Sequence, residues 1–535
     1  MRSILKLMIL LLVASCANRV NPTGGQKDTS APELVEAIPS QRTTEMKDKE
    51  IRLRFDEYIQ LNDFQGQFII SPLTSKLPEV KVGKKELVIT LPDSLLPNTT
   101  YTLSFGKSIV DVHEANPLVD FQYVFSTGSY IDSLEMNGEV YDASTLALLK
   151  NITVLVYRKT GSIEDDSLPF LRKPDYFART NDKGVFSIRN MAAGNYLVFG
   201  LDDKNNNYKC DNPQEEAFAF LDFPVTVPST TVLKLMLSVQ EAAQTRIARV
   251  SRIDRQSLAI GFNRGSDSIS FSGWNGEAWN GHLFFWSEQH DTLKLYQQPE
   301  ADSIKLLVAD QGVVFDTVRV MMAPAKGVKE PAMKVRILLR SSPATAGPSA
   351  DAVFGTLHPI TDGLDSVEVV EDSAKAVTMK LEPENGVQGR FKLRFPWKEG
   401  ARYRLKFYPG AVTDIFNVTN DTTTFEFTVP DEKSSAMLSI KTEGLTSGKQ
   451  YLLQLTNEKF ELIRQFKLSG DSSISLSHLP AATMRLRVIT DLDRNNRFTL
   501  SHYGRRRQPE PVYIYPETLT LRANWEQEVI LKWQE

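Results

Sequence analysis

The chain has 535 residues, a length that predicts roughly three to five domains. Its 62 basic and 66 acidic residues nearly balance, which argues against a nucleic-acid partner because such partners select a basic surface. There are two cysteines, and the first, Cys16, is expected to be acylated as described next, so we expect no disulfide within the mature chain. Ordinary hydrophobic cores must therefore stabilise the fold.

The N-terminus has the three parts of a bacterial export signal. Two basic residues precede a short apolar run, and small residues follow it up to Cys16. The run is too short to cross a bilayer core of about 30 Å, so we expect its removal. Val13-Ala14-Ser15-Cys16 resembles the lipobox of bacterial lipoproteins, which implies cleavage after residue 15 and acylation of the Cys16 thiol. The expected partner is thus the membrane, reached through lipid on Cys16.

Residues 16–30 are polar and rich in turn formers, which predicts a tether without a core. Ala17 rather than an aspartate follows the cysteine, which by analogy with lipoprotein sorting favours the outer membrane. Surface-exported lipoproteins of Bacteroidota tend to carry acidic residues directly behind the cysteine, and here none precedes Asp28. The sequence leaves open whether the protein faces the periplasm or the exterior.

Alternation of apolar and polar residues recurs from about residue 50 to the C-terminus. A period of two places every second side chain on one face of a strand, which predicts short, half-buried strands. A helical pattern is plausible only over Val239 to Ile253. Many short strands between turn residues predict an all-β protein of tandem β-sandwich domains. The alternating sets are Ile51/Leu53/Phe55, Leu87/Ile89/Leu91, Tyr101/Leu103/Phe105, Ile152/Val154/Val156, Val377/Met379/Leu381, Phe391/Leu393/Phe395 and Val529/Leu531/Trp533.

Internal repeats give the order of the predicted domains. A pattern at 101–125 recurs at 403–427, and an Asn-rich pattern at 196–208 recurs at 486–498. The chain thus has the order A–B–C–A′–B′, in which segment C is not repeated. The predicted boundaries are 1–15 for the signal peptide, 16–30 for the tether, 31–128 for A, 129–240 for B, 241–325 for C, 326–432 for A′ and 433–535 for B′.

Motifs in these segments resemble known sandwich families. Segment A, with Ala31-Pro32, Leu96-Pro97-Asn98-Thr99-Thr100-Tyr101 and Phe125-Ser126-Thr127-Gly128, resembles an SbsA-type bacterial Ig-like domain, and A′ resembles a diverged second copy. Segments B and B′ resemble transthyretin-like sandwiches of the carboxypeptidase-regulatory or Cna B type, on Gly138-Glu139-Val140-Tyr141-Asp142 and Ala193-Gly194-Asn195-Tyr196. The whole arrangement is similar to Ig-like lipoproteins of Bacteroidota. The resemblance leaves the activity open, because such modules serve as spacers, adhesins and binding platforms.

One loop of segment B has the residue types of a cation site. Asp203, Asn205, Asn207 and Asp211 have the spacing of oxygen ligands in a calcium loop. However, Tyr208 stands where an EF-hand has glycine, and the repeat places Arg497 opposite Asn207. The preferred interpretation is a β-turn closed by Asx hydrogen bonds. Calcium is the single cofactor candidate.

Two further segments contain candidate ligand-binding side chains. Trp274, Trp279 and Trp286 lie in a Gly-rich stretch of segment C, where flat aromatic faces can stack on sugar rings; a hairpin core is the preferred alternative. Arg505-Arg506-Arg507 can contact an anionic polymer, and a solvated loop is preferred.

The sequence contains no recognisable catalytic motif. The zinc-protease helix, the nucleophile elbow and the phosphate loop are absent, and the six histidines have no ligand spacing. We therefore expect no catalytic residues. The predicted function is a lipid-anchored, non-catalytic rod of β-sandwich domains that binds or scaffolds an envelope protein or polysaccharide. The alternatives are a carbohydrate-binding accessory lipoprotein using residues 273–286 and an envelope hydrolase.

Overall fold

The structure, a computed structural model, describes residues 28–161, 166–241, 244–254, 256–266, 268–273, 283–287, 291–296, 303–321, 335–361, 364–372, 374–384 and 389–533. The described chain is almost entirely β-structure in mainly antiparallel sheets, so the predicted all-β fold is confirmed. Five clusters of buried apolar side chains each draw on one contiguous stretch of the chain, within A, B, C, A′ and B′ respectively.

Segment A contains β1 (Leu34–Ile38), β2 (Glu50–Phe55), β3 (Ile59–Leu61), α1 (Phe64–Gln67), β4 (Ile69–Ser71), β5 (Glu79–Val82), β6 (Glu86–Thr90), β7 (Thr100–Ser104), β8 (Ile109–Asp111) and β9 (Gln122–Ser126). The sheets have the orders β1-β2-β6-β5 and β4-β7-β9, with a separate β3-β8 pair. The alternating residues of β2 and β7 point into the core, as the period of two predicts.

Segment B contains β10 (Leu134–Asp142), β11 (Thr153–Arg158), α2 (Leu168–Leu171), β12 (Tyr176–Arg179), β13 (Val185–Met191), β14 (Gly194–Leu201), β15 (Phe218–Phe220), β16 (Val225–Val227) and β17 (Leu233–Leu237). One sheet has the order β13-β10-β17, in which β10 and β17 are parallel. The other has the order β12-β11-β14-β15, and β16 also pairs with β14.

Segment C contains β18 (Ile247–Arg252), β19 (Ser257–Phe262), β20 (Ile269–Gly273), β21 (Leu283–Trp286), β22 (Thr292–Tyr296), β23 (Ser303–Asp310) and β24 (Val313–Met321). The sheets have the orders β18-β19-β22-β21 and β20-β23-β24. The helical interpretation of Val239 to Ile253 is wrong, because this stretch contains β18. Its backbone pairs with β19, and tertiary pairing overrides a weak local pattern.

Segment A′ contains β25 (Leu338–Ser341), α3 (Pro343–Ala346), β26 (Ala352–Gly355), β27 (Ser366–Glu371), β28 (Val377–Lys380), β29 (Glu382–Pro383), β30 (Arg390–Leu393), β31 (Arg402–Phe407) and β32 (Thr423–Thr428). The sheets have the orders β25-β26-β30-β29 and β28-β27-β31-β32. Val377 was predicted to be half-buried in an alternating strand, but it is 47% exposed. Its strand β28 lies at a sheet edge, where fewer neighbours cover a side chain.

Segment B′ contains β33 (Ala436–Glu443), β34 (Tyr451–Asn457), β35 (Leu462–Leu468), β36 (Ser473–Leu479), β37 (Thr483–Thr490), a 3₁₀ helix (Tyr503–Arg505), β38 (Val512–Ile514), β39 (Leu519–Thr520) and β40 (Glu526–Lys532). Its sheets have the orders β36-β33-β40 and β35-β34-β37-β38, and β39 pairs with β37. The pair β33 and β40 is parallel. Segments B and B′ therefore share one topology, strand for strand.

Segments A and A′ each contact the segment that follows them, but at different places. The Arg179 guanidinium on β12 donates to the Gly66 carbonyl in α1, which follows β3, at 2.6 Å. The Arg464 guanidinium on β35 donates to the Thr345 carbonyl in α3, which lies between β25 and β26, also at 2.6 Å. The sandwich topology is therefore repeated, whereas this junction is not.

The expectation of an extended rod is wrong in one respect. Segment B contacts segment B′ directly, through hydrogen bonds such as the one between the hydroxyls of Ser238 and Ser501. An extended rod would bring together only neighbours in the sequence. The chain instead turns back, so that its second and fifth segments meet.

Candidate functional site: the Asn-rich loops and the contact between B and B′

The Asn-rich loop of segment B closes on itself as a polar turn. The Asp203 carboxylate accepts hydrogen bonds from the backbone N–H groups of Asn207 and Tyr208, at 3.2 and 2.9 Å. The side-chain amides of Asn205 and Asn207 both donate to Asp211 Oδ2 at 2.7 Å. The structure thus brings the four predicted oxygen-bearing side chains together. Asx hydrogen bonds close the turn, as the preferred interpretation predicts.

The loop of B′ has the same geometry in a different register from the predicted one. Asp491 accepts from the N–H groups of Asn495 and Asn496, as Asp203 does from Asn207 and Tyr208. In both loops two residues have a left-handed backbone, Asn206 and Tyr208 in B and Arg494 and Asn496 in B′, with φ between 57 and 62°. Asn495 therefore takes the place of Asn207, and the alignment of Arg497 with Asn207 is wrong, because the turn geometry, not residue identity, sets the register.

Three carboxylates meet in the B′ loop. Oxygens of Asp491, Asp493 and Glu510 lie within 4.8 Å of one another. Glu510 is buried and accepts from the N–H groups of Leu492 and Thr499 at 2.7 and 2.8 Å. Burial, with repulsion from the two aspartates, raises the pKa of Glu510 to about 7 despite these bonds. Hard oxygen ligands of this kind fit a calcium ion in either loop, and calcium binding stays a prediction.

Beyond its Asn-rich loop, B′ extends a projection onto the sheet of segment B. Tyr503 is 5% exposed and its ring lies 5.5 Å from that of Phe199, 5.6 Å from Phe218 and 5.0 Å from Phe220. The phenylalanines belong to β14 and β15. Tyr503 thus completes a second hydrophobic cluster on the outer face of this sheet. Aromatic contacts of this kind contribute beyond the area that they bury.

Polar contacts surround the Tyr503 ring. Its backbone N–H donates to Gln240 Oε1 at 3.0 Å, and Gln508 donates to the Phe220 carbonyl at 3.0 Å and to Asp222 at 2.9 Å. Arg506 pairs with Asp166, and Arg507 pairs with Glu241. Arg505 and Arg506 are exposed, as the predicted solvated loop requires, but Arg506 and Arg507 are also ion-paired across the contact between B and B′.

A difference in loop length explains why sequence reasoning missed Tyr503. In B, five positions separate Asp211 from the glutamate that accepts its N–H, Glu216. In B′, eleven positions separate Thr499 from Glu510, which makes the equivalent bond. The six additional residues form the projection. An insertion of this kind in one of two repeats is the signal that sequence analysis could have used.

A buried histidine joins segments C and A′. His358 Nδ1 lies 2.7 Å from Asp414 Oδ2, and its Nε2 lies 2.6 Å from Asp254 Oδ2. Asp254 belongs to C, whereas His358 and Asp414 belong to A′. Burial alone would lower the pKa of His358, but the hydrogen bonds to both carboxylates outweigh it and raise the pKa to about 9. An imidazolium that donates from both nitrogens therefore bridges the two segments at neutral pH.

The tryptophans and cysteines singled out in the sequence lie away from the Asn-rich loops or outside the described residues. Trp286 packs partly buried against the core of C, 5.7 Å from Phe262, while Trp274 and Trp279 lie outside the described residues. Cys16 also lies outside them. Cys210 is buried and free, and burial raises its pKa to about 12, so its thiol is protonated at neutral pH. Among the described residues, no helix has the length and apolar character needed to cross a membrane.

Comparison with known proteins gives one family match. Residues 28–127 match the model of the bacterial Ig-like domain, which covers segment A. The chain matches no curated protein sequence.

Solved structures resemble the chain only distantly. The TIE protein of Bacillus anthracis is 12% identical, with 99% of this chain and 78% of that chain covered and a TM-score of 0.15. The alpha-2-macroglobulin of Salmonella, reacted with methylamine, is 12% identical, with 91% and 34% covered and a TM-score of 0.15. Domains 1–6 of the surface layer protein SbsC are 10% identical, with 92% and 67% covered and a TM-score of 0.14.

This chain spans about a third of the length of the macroglobulin that it resembles. At these identities and TM-scores the likenesses support no conclusion about function. Residues 28–127 thus match a bacterial Ig-like domain, and they form the first β-sandwich of this all-β chain.

Proposed function

We propose that the protein is a non-catalytic scaffold of the bacterial cell envelope, anchored in the outer membrane by lipid on Cys16. The observation that carries the scaffolding role is the direct contact between B and B′, which joins distant parts of the chain. A platform of several sandwiches in defined contact presents its loops at constant positions, which suits the assembly of an envelope protein or polysaccharide.

The use of the buried polar groups supports a non-catalytic role. Asp111 accepts four backbone N–H bonds from residues 113–116 in its own turn. Asp310 accepts hydroxyl groups and the Arg264 guanidinium within segment C. Asp254 and Asp414 bind the bridging imidazolium of His358. Each of these carboxylates stabilises a turn or a junction.

The anchor is tested by phase partitioning in the native host. Cys16→Ser removes the thiol that would be acylated, so the protein should move from the detergent phase to the aqueous phase and stay unprocessed. Cys210→Ser is the matched control and should stay in the detergent phase, since its thiol is buried. Unchanged partitioning of Cys16→Ser would contradict the anchor.

The scaffolding role is tested on the purified full-length chain. Immobilised protein should retain one class of envelope component, protein or polysaccharide, from a cell-envelope extract. The same protein should leave envelope polymers uncleaved after prolonged incubation. Release of new reducing ends or peptide fragments would overturn the non-catalytic assignment, and failure to retain either class would overturn scaffolding.

A further inference from the structure

We propose that residues 501–508 are a latch that holds B′ against B, and that acid releases the latch through His502. This inference goes beyond the scaffolding role. It rests on the projection of B′, on the aromatic face of B that receives it, and on the position of one histidine in the contact.

The projection, residues 501–508, is an insertion that docks on segment B without being part of either sandwich core. It is present in B′ and missing from the matching loop of B, where Asp211 and Glu216 are five positions apart. Its one large apolar side chain, Tyr503, enters the face formed by Phe199, Phe218 and Phe220. Ser501, Arg506, Arg507 and Gln508 of the projection add polar contacts to segment B. Opening would therefore expose one aromatic cluster and leave the separate cores of B and B′ intact.

His502 lies between Ser501 and Tyr503, which both bond to segment B, and it is 7% exposed. Its Nδ1 accepts the N–H of Arg505 at 3.2 Å, which assigns the proton of the neutral ring to Nε2. Within the described part of the chain, Nε2 has no hydrogen-bond partner. The ring thus makes one hydrogen bond, as an acceptor, and that bond caps the 3₁₀ helix at residues 503–505.

Protonation of His502 opposes the closed state for two reasons. The second proton must go to Nδ1, where it displaces the hydrogen bond from Arg505 N–H. The new charge is also poorly solvated and lies near Arg505 and Arg507, with Glu241 of segment B as the counter-charge. The other charged groups at this contact are engaged elsewhere, since Asp166 pairs with Arg506 and Asp222 accepts from Gln508.

The sign of the pH dependence follows from these contacts. Burial, followed by repulsion from Arg505 and Arg507, lowers the pKa of His502 below its ordinary value of 6.5. The open state, in which the ring is solvated, therefore binds the proton more tightly than the closed state. The closed state is fully favoured above pH 6.5 and loses stability as the pH falls below that value.

The test uses hydrogen exchange of the full-length chain. The N–H groups of Tyr503 and Glu241 make bonds across the contact, to Gln240 Oε1 and to the Ser501 carbonyl, so their exchange reports opening. At pH 7.5, Tyr503→Ala should speed exchange at Glu241 at least about tenfold, because the burial of a large aromatic side chain exceeds one tenfold change in an equilibrium. The matched control Tyr408→Ala changes a tyrosine that is 45% exposed and should leave this exchange unchanged.

The acid step is tested with His502→Gln, whose amide oxygen can accept the Arg505 N–H but cannot take up a proton near neutral pH. After correction for intrinsic exchange, the wild type should exchange faster at Glu241 at pH 5.5 than at pH 7.5, and His502→Gln should not. His113→Gln, at an exposed histidine of segment A, should behave as the wild type.

Exchange within β34 checks that B′ stays folded in every variant. If Tyr503→Ala also exposes β34, Gln508→Ala replaces it, since this change removes only the bonds to Phe220 and Asp222. The latch is overturned if Tyr503→Ala, or Gln508→Ala in its place, exchanges the Glu241 N–H at the same rate as the control Tyr408→Ala. The role of His502 is overturned if acid speeds exchange equally in His502→Gln. Neither outcome affects envelope anchoring or partner retention, so failure of the latch and failure of the scaffold are distinguishable.

Discussion

The hydroxyl oxygens of Ser238 and Ser501 lie 2.9 Å apart in a buried hydrogen bond, although 263 positions separate the two residues in the chain. Between them the chain passes through C and A′, which are joined by His358, and into B′, which Arg464 holds to A′. These three junctions, with the chain connection from B to C, thus close a circuit through B, C, A′ and B′. A circuit of this kind restrains each junction through the others. The changes in unfolding free energy caused by substitutions at different junctions should therefore not be additive.

The junction between C and A′ should weaken in alkaline solution. The folded pKa of His358, about 9, is above its ordinary value of 6.5, so the protonated ring stabilises the fold fully below pH 6.5 and loses that contribution as the pH rises through 9. The difference between the two pKa values corresponds to roughly 3 kcal/mol. Scanning calorimetry at pH 7 and 10 should show the loss in the wild type and not in His358→Ala. Equal pH dependence of the two proteins would contradict the charged bridge.

Gly138 should tolerate no side chain. A Cβ at this position would overlap the ring of Phe186 and lie 2.8 Å from the Leu233 carbonyl, because β10 is the central strand between β13 and β17. Gly138→Ala should therefore lower the free energy of unfolding of segment B by about 1–3 kcal/mol, as overpacking does. Gly194→Ala is the control, since its nearest neighbour would be 3.5 Å away, in ordinary contact. Similar urea midpoints for both variants would show that the Gly138 site can relax.

Calcium should raise the melting temperature if the loop of B binds it, because a ligand that binds only the folded state stabilises that state by mass action. Asp203→Ala should abolish the rise, whereas Asp202→Ala, one position earlier and outside the predicted set, should retain it. Asp493→Ala separates the two loops, since it changes only the cluster of B′. If calcium does not change the melting temperature of the wild type, the loop is a turn closed by Asx hydrogen bonds and not a calcium site.

Segments A′ and B′ should be more stable as a pair than singly. A fragment covering 326–533 retains the Arg464 bond to Thr345 and the contact of His478 with Glu399, at 3.1 Å, which a fragment covering 433–533 lacks. The paired fragment should therefore melt in one transition, above the single one, and Arg464→Ala should reduce the gain by about 1 kcal/mol. If both fragments melt at the same temperature, the single sandwiches fold independently of each other.

The sequence by itself determined the strands and their inward faces. Ile51, Leu53 and Phe55 are buried as the alternation predicts, because a period of two leaves no other way to cover three apolar side chains of one strand. It also determined that B and B′ are related, since their Asn-rich loops and flanking strands recur. Where the pattern depends on neighbours, as at the sheet-edge residue Val377, prediction from the sequence was wrong.

Only the tertiary structure decided which distant residues meet. The repeats show that residues are inserted around Tyr503, but they do not show where its ring docks, because its partners Phe199, Phe218 and Phe220 lie in another segment of the chain. The same holds for Asp254, His358 and Asp414, whose spacing matches no local motif. Alternation and turn residues act through near neighbours along the chain, whereas a docked ring or a buried ion pair depends on how whole sandwiches pack, and that packing is encoded across hundreds of positions.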